Sequence, residues 1–110
     1  MSDEAPPVEF GSGNLWADIG RPDADEALAR AELMSRVTGI IRERRLTQKA
    51  AAEILGTNQP TVSDLMRGKL SKFSLGRLIA FLNALDRDVE ITVSPRPAGR
   101  DAARLMVAGD

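Results

Sequence analysis

Apolar residues return at three- and four-residue intervals from Leu28 through Ala31, Met34 and Val37 to Ile41, with Leu33 and Ile40 widening the stripe. That period predicts an amphipathic helix. Asp23 precedes it as a cap, with Glu26 at the capping-box interval, and Asp25 and Glu26 place negative charge in the first turn. The helix should run to about Arg44, ending in a basic turn. Thr47 then caps a second, shorter helix with Ala51 and Leu55 on its inner face and Ala52 beside them. Gly56 ends it in the left-handed conformation, and Thr57 and Asn58 make the turn. Pro60 suits the first turn of a third helix, where a missing N–H costs little. Val62 and Leu65 face inward there, leaving Gln59, Thr61, Ser63 and Asp64 outside, and Gly68 stops the helix. Ser74 caps a fourth, whose inner face is Leu75, Leu78, Ile79, Leu82 and Leu85.

At Asp88 the period changes to two. Val89, Ile91 and Val93 alternate with Glu90, Thr92 and Ser94, which predicts a strand over residues 88–94 that Pro95 and Pro97 end. A lone strand leaves both edges unpaired. Its partner is either the stretch around Val8 to Phe10 or the same strand of a second subunit. Residues 1–22 are rich in Pro, Gly, Ser and Asp and read as a mostly irregular arm. Val8, Phe10, Leu15, Trp16 and Ile19 are nevertheless too apolar for a free tail, so "NLWADIG" is expected to lie against a folded surface. Residues 95–110 read as a flexible tail with one apolar patch, Leu105 to Val107. The expectation is one all-α domain over residues 23–94, of four to five helices with a short C-terminal β-strand.

Composition narrows the function. A chain of 110 residues carries one modest core, and its few aromatics (Phe10, Trp16, Phe73, Phe81) leave that core to aliphatic residues. There is no cysteine and no histidine, which removes disulfides and a conventional zinc site, so neither metal nor cofactor is expected. The acidic residues form no evident paired-carboxylate site, and a serine or threonine nucleophile has no evident base, so no catalytic residues are assigned. No apolar run is long enough to cross a membrane, and a cytoplasmic location is the default expectation.

Net charge is only −1, but it is unevenly spread. Residues 1–41 hold eight acidic and three basic side chains, whereas residues 42–72 hold seven basic (Arg42, Arg44, Arg45, Lys49, Arg67, Lys69, Lys72) and three acidic. The positive patch brackets the second and third helices and can meet phosphate even on a near-neutral protein. Two short helices with a sharp turn, a small residue at their crossing (Ala52) and glycine at the bend form a helix-turn-helix. With Val62 and Leu65 tied to the core, the other face of the third helix is free to enter a major groove. Gln59 can bond an adenine edge bidentately, Thr61 can bond a base or touch a thymine methyl, and Asp64 can accept from a cytosine amino group but is repelled by phosphate. Gln48, Asn58, Lys69, Ser71 and Lys72 are the candidate phosphate contacts, and Arg67 can serve either role.

The stretch "LTQKAAAEILGTNQPTVSDLMRGKLSKFSLGRLIAFLNAL" resembles the Cro/C1-type (Xre-like) helix-turn-helix family. With the flanks "NLWADIGRPDADEALARAELMSRVTGIIRERRLTQ" and "RDVEITV", the resemblance extends to the HigA-like antitoxin subgroup and covers roughly residues 12–94. It implies a compact lambda-repressor-like bundle and a homodimer on palindromic, double-stranded operator DNA that represses transcription. It further implies neutralisation of a RelE/HigB-type mRNA endonuclease encoded beside it. The family's base-reading positions fall on Gln59, Pro60, Thr61, Ser63 and Asp64. Its phosphate-contacting positions fall on Gln48, Asn58, Lys69 and either Ser71 or Lys72. Pro60 departs from the polar residue common there, and Ala51 from a larger aliphatic one, for which Ile54 is expected to compensate. The alternatives are a phage-type or metabolic repressor without a toxin, and a protein-interaction module that has lost DNA binding.

Overall fold

The computed structural model describes residues 22–109. Among them four helices follow one another, α1 (Pro22–Glu43), α2 (Gln48–Leu55), α3 (Gln59–Met66) and α4 (Leu75–Ala84), with a 3-10 turn (Leu70–Lys72) before the last. The expectations for Val8, Phe10 and "NLWADIG" lie outside the described residues. α1 already includes Pro22 and Asp23, so Asp23 lies within the helix rather than ahead of it as a cap.

The face that α1 buries also differs. Ala29, Leu33, Met34, Val37, Ile40 and Ile41 are in the core, but Leu28 is 65% exposed and Ala31 is exposed as well. Leu28 is nine positions from Val37, about two and a half helical turns, and therefore points the opposite way. Counting apolar residues hid this, because the true stripe passes through a polar one, the buried Asp25.

The remaining helices are set by local chemistry that the sequence displays. Thr47 Oγ1 accepts from the Ala50 N–H (3.0 Å), Asn58 Oδ1 from Thr61 N–H (2.8 Å) and Ser74 Oγ from Arg77 N–H (3.1 Å). Each satisfies a donor that the first helical turn leaves open. Every helix then ends the same way. A residue in the left-handed conformation (Arg45, Gly56, Gly68, Asp86; φ 56°, 72°, 75° and 65°) is followed by an N–H that reaches back five residues. Those bonds run from Leu46 to Ile41 O, Thr57 to Ala52 O, Lys69 to Asp64 O and Arg87 to Leu82 O.

The core lies where α1 crosses α4, with α2 and α3 packed as a pair across one end. Val62, Leu65, Leu78 and Leu85 are fully enclosed. Phe73 and Phe81 meet edge to face at 6.2 Å. Phe81 was missing from the expected inner face of α4, while Leu75 and Ile79 sit half-buried at its margin. Ile54 is 40% exposed and so does not make up the volume beside the buried Ala51.

No strand forms over residues 88–94 among the described residues. Val89 packs against the core, but Ile91 and Val93 are 76% and 91% exposed. Alternation alone cannot hold a strand without a second backbone alongside, and none of the described residues supplies one. Residues beyond Pro97 return to α1. The Arg104 side chain donates to both Asp25 carboxylate oxygens (3.3 and 3.2 Å), Leu105 N–H donates to Oδ2 (3.2 Å), and Val107 packs on the core.

Gly56→Ala should cost about 1 kcal/mol, because the left-handed conformation between α2 and α3 penalises a Cβ although the surrounding space is open. Urea denaturation would report a lower midpoint with an unchanged slope; an unaltered midpoint would mean the turn carries no such constraint.

Candidate nucleic-acid interface

α3 presents its first turn to solvent. Gln59 and Pro60 are exposed at its start, while Val62 and Leu65 further along are fully buried, with Pro60 on the side away from them. Thr61, Ser63 and Asp64 are half-buried along its flank. Gln48, the first residue of α2, is exposed, with its backbone N–H among those a helix start leaves unpaired. Asn58 is committed by its Oδ1 to capping α3, leaving its amide nitrogen as the group available for phosphate.

The other expected site residues separate into two places. Lys69 and Lys72 converge on Asp64, with their Nζ atoms 3.4 and 3.2 Å from its two carboxylate oxygens. Ser71 lies between the two lysines in the 3-10 turn and is exposed. Arg67 terminates α3 and lines, with Arg42 and Thr38, a shallow cleft between that helix end and α1. It is therefore positioned beside α1 and apart from the Asp64 cluster.

One cation was not anticipated. Arg77, in the first turn of α4, places its guanidinium 5.3 Å from the Phe73 ring centre and 5.4 Å from that of Phe81. Its NH2 group also approaches Thr57 Oγ1, in the turn before α3, at 3.5 Å. Stacking on two rings orients the guanidinium while leaving its edge open to an anion. The sequence carries part of the signal: Arg77 and Phe81 are four apart on α4 and so share a helical face, whereas Phe73 lies in extended backbone before the Ser74 cap and joins them only through the fold.

The hydrogen bond from Lys72 is the largest influence on Asp64 and holds its carboxyl below the ordinary value; partial burial opposes it, and the charges of Lys72 and Lys69 reinforce it. A carboxylate with a lowered folded-state pKa stabilises the fold at pH above its ordinary range, and this contribution disappears as pH falls through the lowered value. Asp64→Asn should therefore lose stability relative to the parent at neutral pH and draw level with it in acid. Thermal melts across that range would check this, and a pH-independent difference would show that the lysine pairs contribute nothing.

Among the described residues no cluster of potential metal ligands occurs, and no helix is long and apolar enough to cross a membrane. The pattern of the helix-turn-helix domain family matches residues 15–94, which spans all four helices and the extended segment after them. A solved structure named "Putative XRE Family Transcriptional Regulator" shares 46% identity with this chain at a TM-score of 0.76, covering 81% of this chain and the whole of the other. No curated protein matches the sequence. The identity, the coverage and a family match running through α2 and α3 agree: the chain belongs to the XRE family of helix-turn-helix transcriptional regulators.

Proposed function

We propose that this protein is an operator-binding repressor that acts as a homodimer and serves as the antitoxin of a RelE/HigB-like mRNA endonuclease. The observation that carries the DNA-binding part is the division of α3, with Val62 and Leu65 fully buried and Gln59 and Pro60 exposed. A helix held so firmly on one side offers its polar side to a major groove. In this reading Gln59, Pro60, Thr61, Ser63 and Asp64 face base edges. Gln48, Asn58, Lys69, Ser71 and Lys72 hold phosphates, with Arg77 added near the turn before α3. Arg67, beside α1, reaches the flanking backbone.

Two features support the dimer. One reading helix buries too little surface for strong discrimination, and two copies about a two-fold axis double it. The segment 88–94 keeps a strand pattern with Ile91 and Val93 exposed, and a second copy would supply an edge that none of the described residues provides. The toxin reading rests on the resemblance of the flanks to HigA-like antitoxins. It gains support from the surplus of acidic side chains in residues 1–41 and from the exposed Leu28 on the outer side of α1. A basic enzyme would be drawn to such a surface.

Titrating the DNA upstream of the gene should give two chains per site, with affinity falling steeply as salt rises. Gln59→Ala should weaken that complex by about 5- to 100-fold, equivalent to about 1–3 kcal/mol, while leaving binding to scrambled DNA nearly unchanged. Equal binding of both duplexes would remove the operator reading and favour an interaction module. For the antitoxin role, co-expression with the adjacent gene should yield a co-purifying complex and relieve growth arrest caused by the neighbour alone. A neighbour that neither arrests growth nor binds would leave a repressor of the phage or metabolic type.

A further inference from the structure

Asp64 is an awkward residue for a DNA-reading surface, because a carboxylate on the outer flank of α3 faces the phosphates it must approach. The structure shows how that charge is occupied: Lys72 Nζ lies 3.2 Å from Oδ2 and Lys69 Nζ 3.4 Å from Oδ1. Both lysines are anchored by backbone bonds, Lys69 N–H to Asp64 O and Lys72 N–H to Lys69 O, each 3.1 Å. Their Cα positions are therefore fixed beside Asp64, and only the side chains are free to rearrange. The lysine side chains are 44% and 56% exposed and that of Asp64 24%, so water reaches all three. Exposed ion pairs of this kind are weak. A lysine ammonium on a flexible four-carbon stem exchanges partners readily.

We propose that Asp64, Lys69 and Lys72 form an electrostatic latch that couples phosphate contact to base reading. In the free protein and on unrelated DNA, the carboxylate retains both ammonium groups and lowers sequence-independent affinity. At the operator, correct docking of α3 brings phosphates within reach of Lys69 and Lys72, which leave the carboxylate. Asp64 is then free to accept a hydrogen bond from a cytosine amino group. Where the base opposite offers no donor, the freed carboxylate has no partner and the lysines return to it. Asp64 thus acts as a specificity-determining residue in two ways, by withholding cations from wrong sequences and by requiring a cytosine at the right one. The lowered pKa of Asp64 agrees with a carboxylate that stays ionised throughout.

The latch rests on the operator-binding reading, and the test separates the two. The full chain, Asp64→Asn, Lys69→Ala/Lys72→Ala and the triple variant are titrated by fluorescence anisotropy against the DNA upstream of the gene and a scrambled duplex of equal length. Salt is varied from about 50 to about 200 mM, a range in which phosphate contacts are strongly resolved. Circular dichroism confirms that each variant is folded. Asp64→Asn should bind the scrambled duplex about 2- to 10-fold tighter, as expected from releasing two weak ion pairs. Its salt slope on that duplex should steepen by up to about 2, one for each freed lysine. In the double-lysine background the same substitution should leave the salt slope unchanged and give a clearly smaller gain, the remainder being simple repulsion between Asp64 and phosphate. If the whole gain persists without the lysines, that repulsion accounts for all of it and the latch is wrong. No gain in the parent background overturns it as well. Failure of the parent protein to prefer its own upstream DNA would instead strike the operator reading, and the latch with it.

Discussion

The structure depends on how α3 is held. Val62 and Leu65 are both at zero exposure, and each contributes roughly 1.5–3 kcal/mol through burial. That is a large fraction of the net stability expected of a domain this size. A helix of eight residues does not persist alone in water, so these two side chains decide both that α3 exists and which side it shows. Because they lie three positions apart, the exposed side is fixed as well: Pro60 faces away from the core, and Gln59 is left exposed as the first residue of the helix. The polar surface of α3 is thus a consequence of core packing rather than a separate design.

Holding the helix also requires its ends to be closed. Serine, threonine and asparagine caps start α2, α3 and α4, and a left-handed residue ends all four helices. Only two of those terminators are glycine; Arg45 and Asp86 adopt the same conformation against the preference of a residue with a Cβ. Arg44 shows part of what offsets that strain. Its guanidinium donates to Leu85 O at 2.7 Å and so joins the end of α1 to the end of α4. The two strained turns lie at the ends of the two helices that frame the core, and the same contact links them.

Cations are held around this frame in two different ways. Asp64 engages two lysines beside α3, whereas Arg77 is steadied by two aromatic rings. The difference matters for what each cation can do. A guanidinium set against Phe73 and Phe81 is already oriented, while the two lysines keep the freedom of flexible stems and share one carboxylate.

The sequence by itself determined the features governed by neighbours a few residues apart. Caps at Thr47 and Ser74, the left-handed Gly56, Pro60 in the first turn of α3, and the inward Val62 and Leu65 are all local consequences of residue type and spacing, and all are present. The helix-turn-helix and the family followed from them. What only the tertiary structure decided involves partners distant in the chain. The buried side of α1 rotates to include Asp25 because Arg104 and Leu105, some eighty residues away, return to satisfy it. Leu28 is left outside for the same reason. Arg77 meets Thr57 across twenty residues, and the Asp64 cluster closes through a turn whose path depends on Gly68. The pattern over residues 88–94 marks the converse limit: alternation records which side chains suit a strand, but a strand exists only where another backbone accepts its hydrogen bonds.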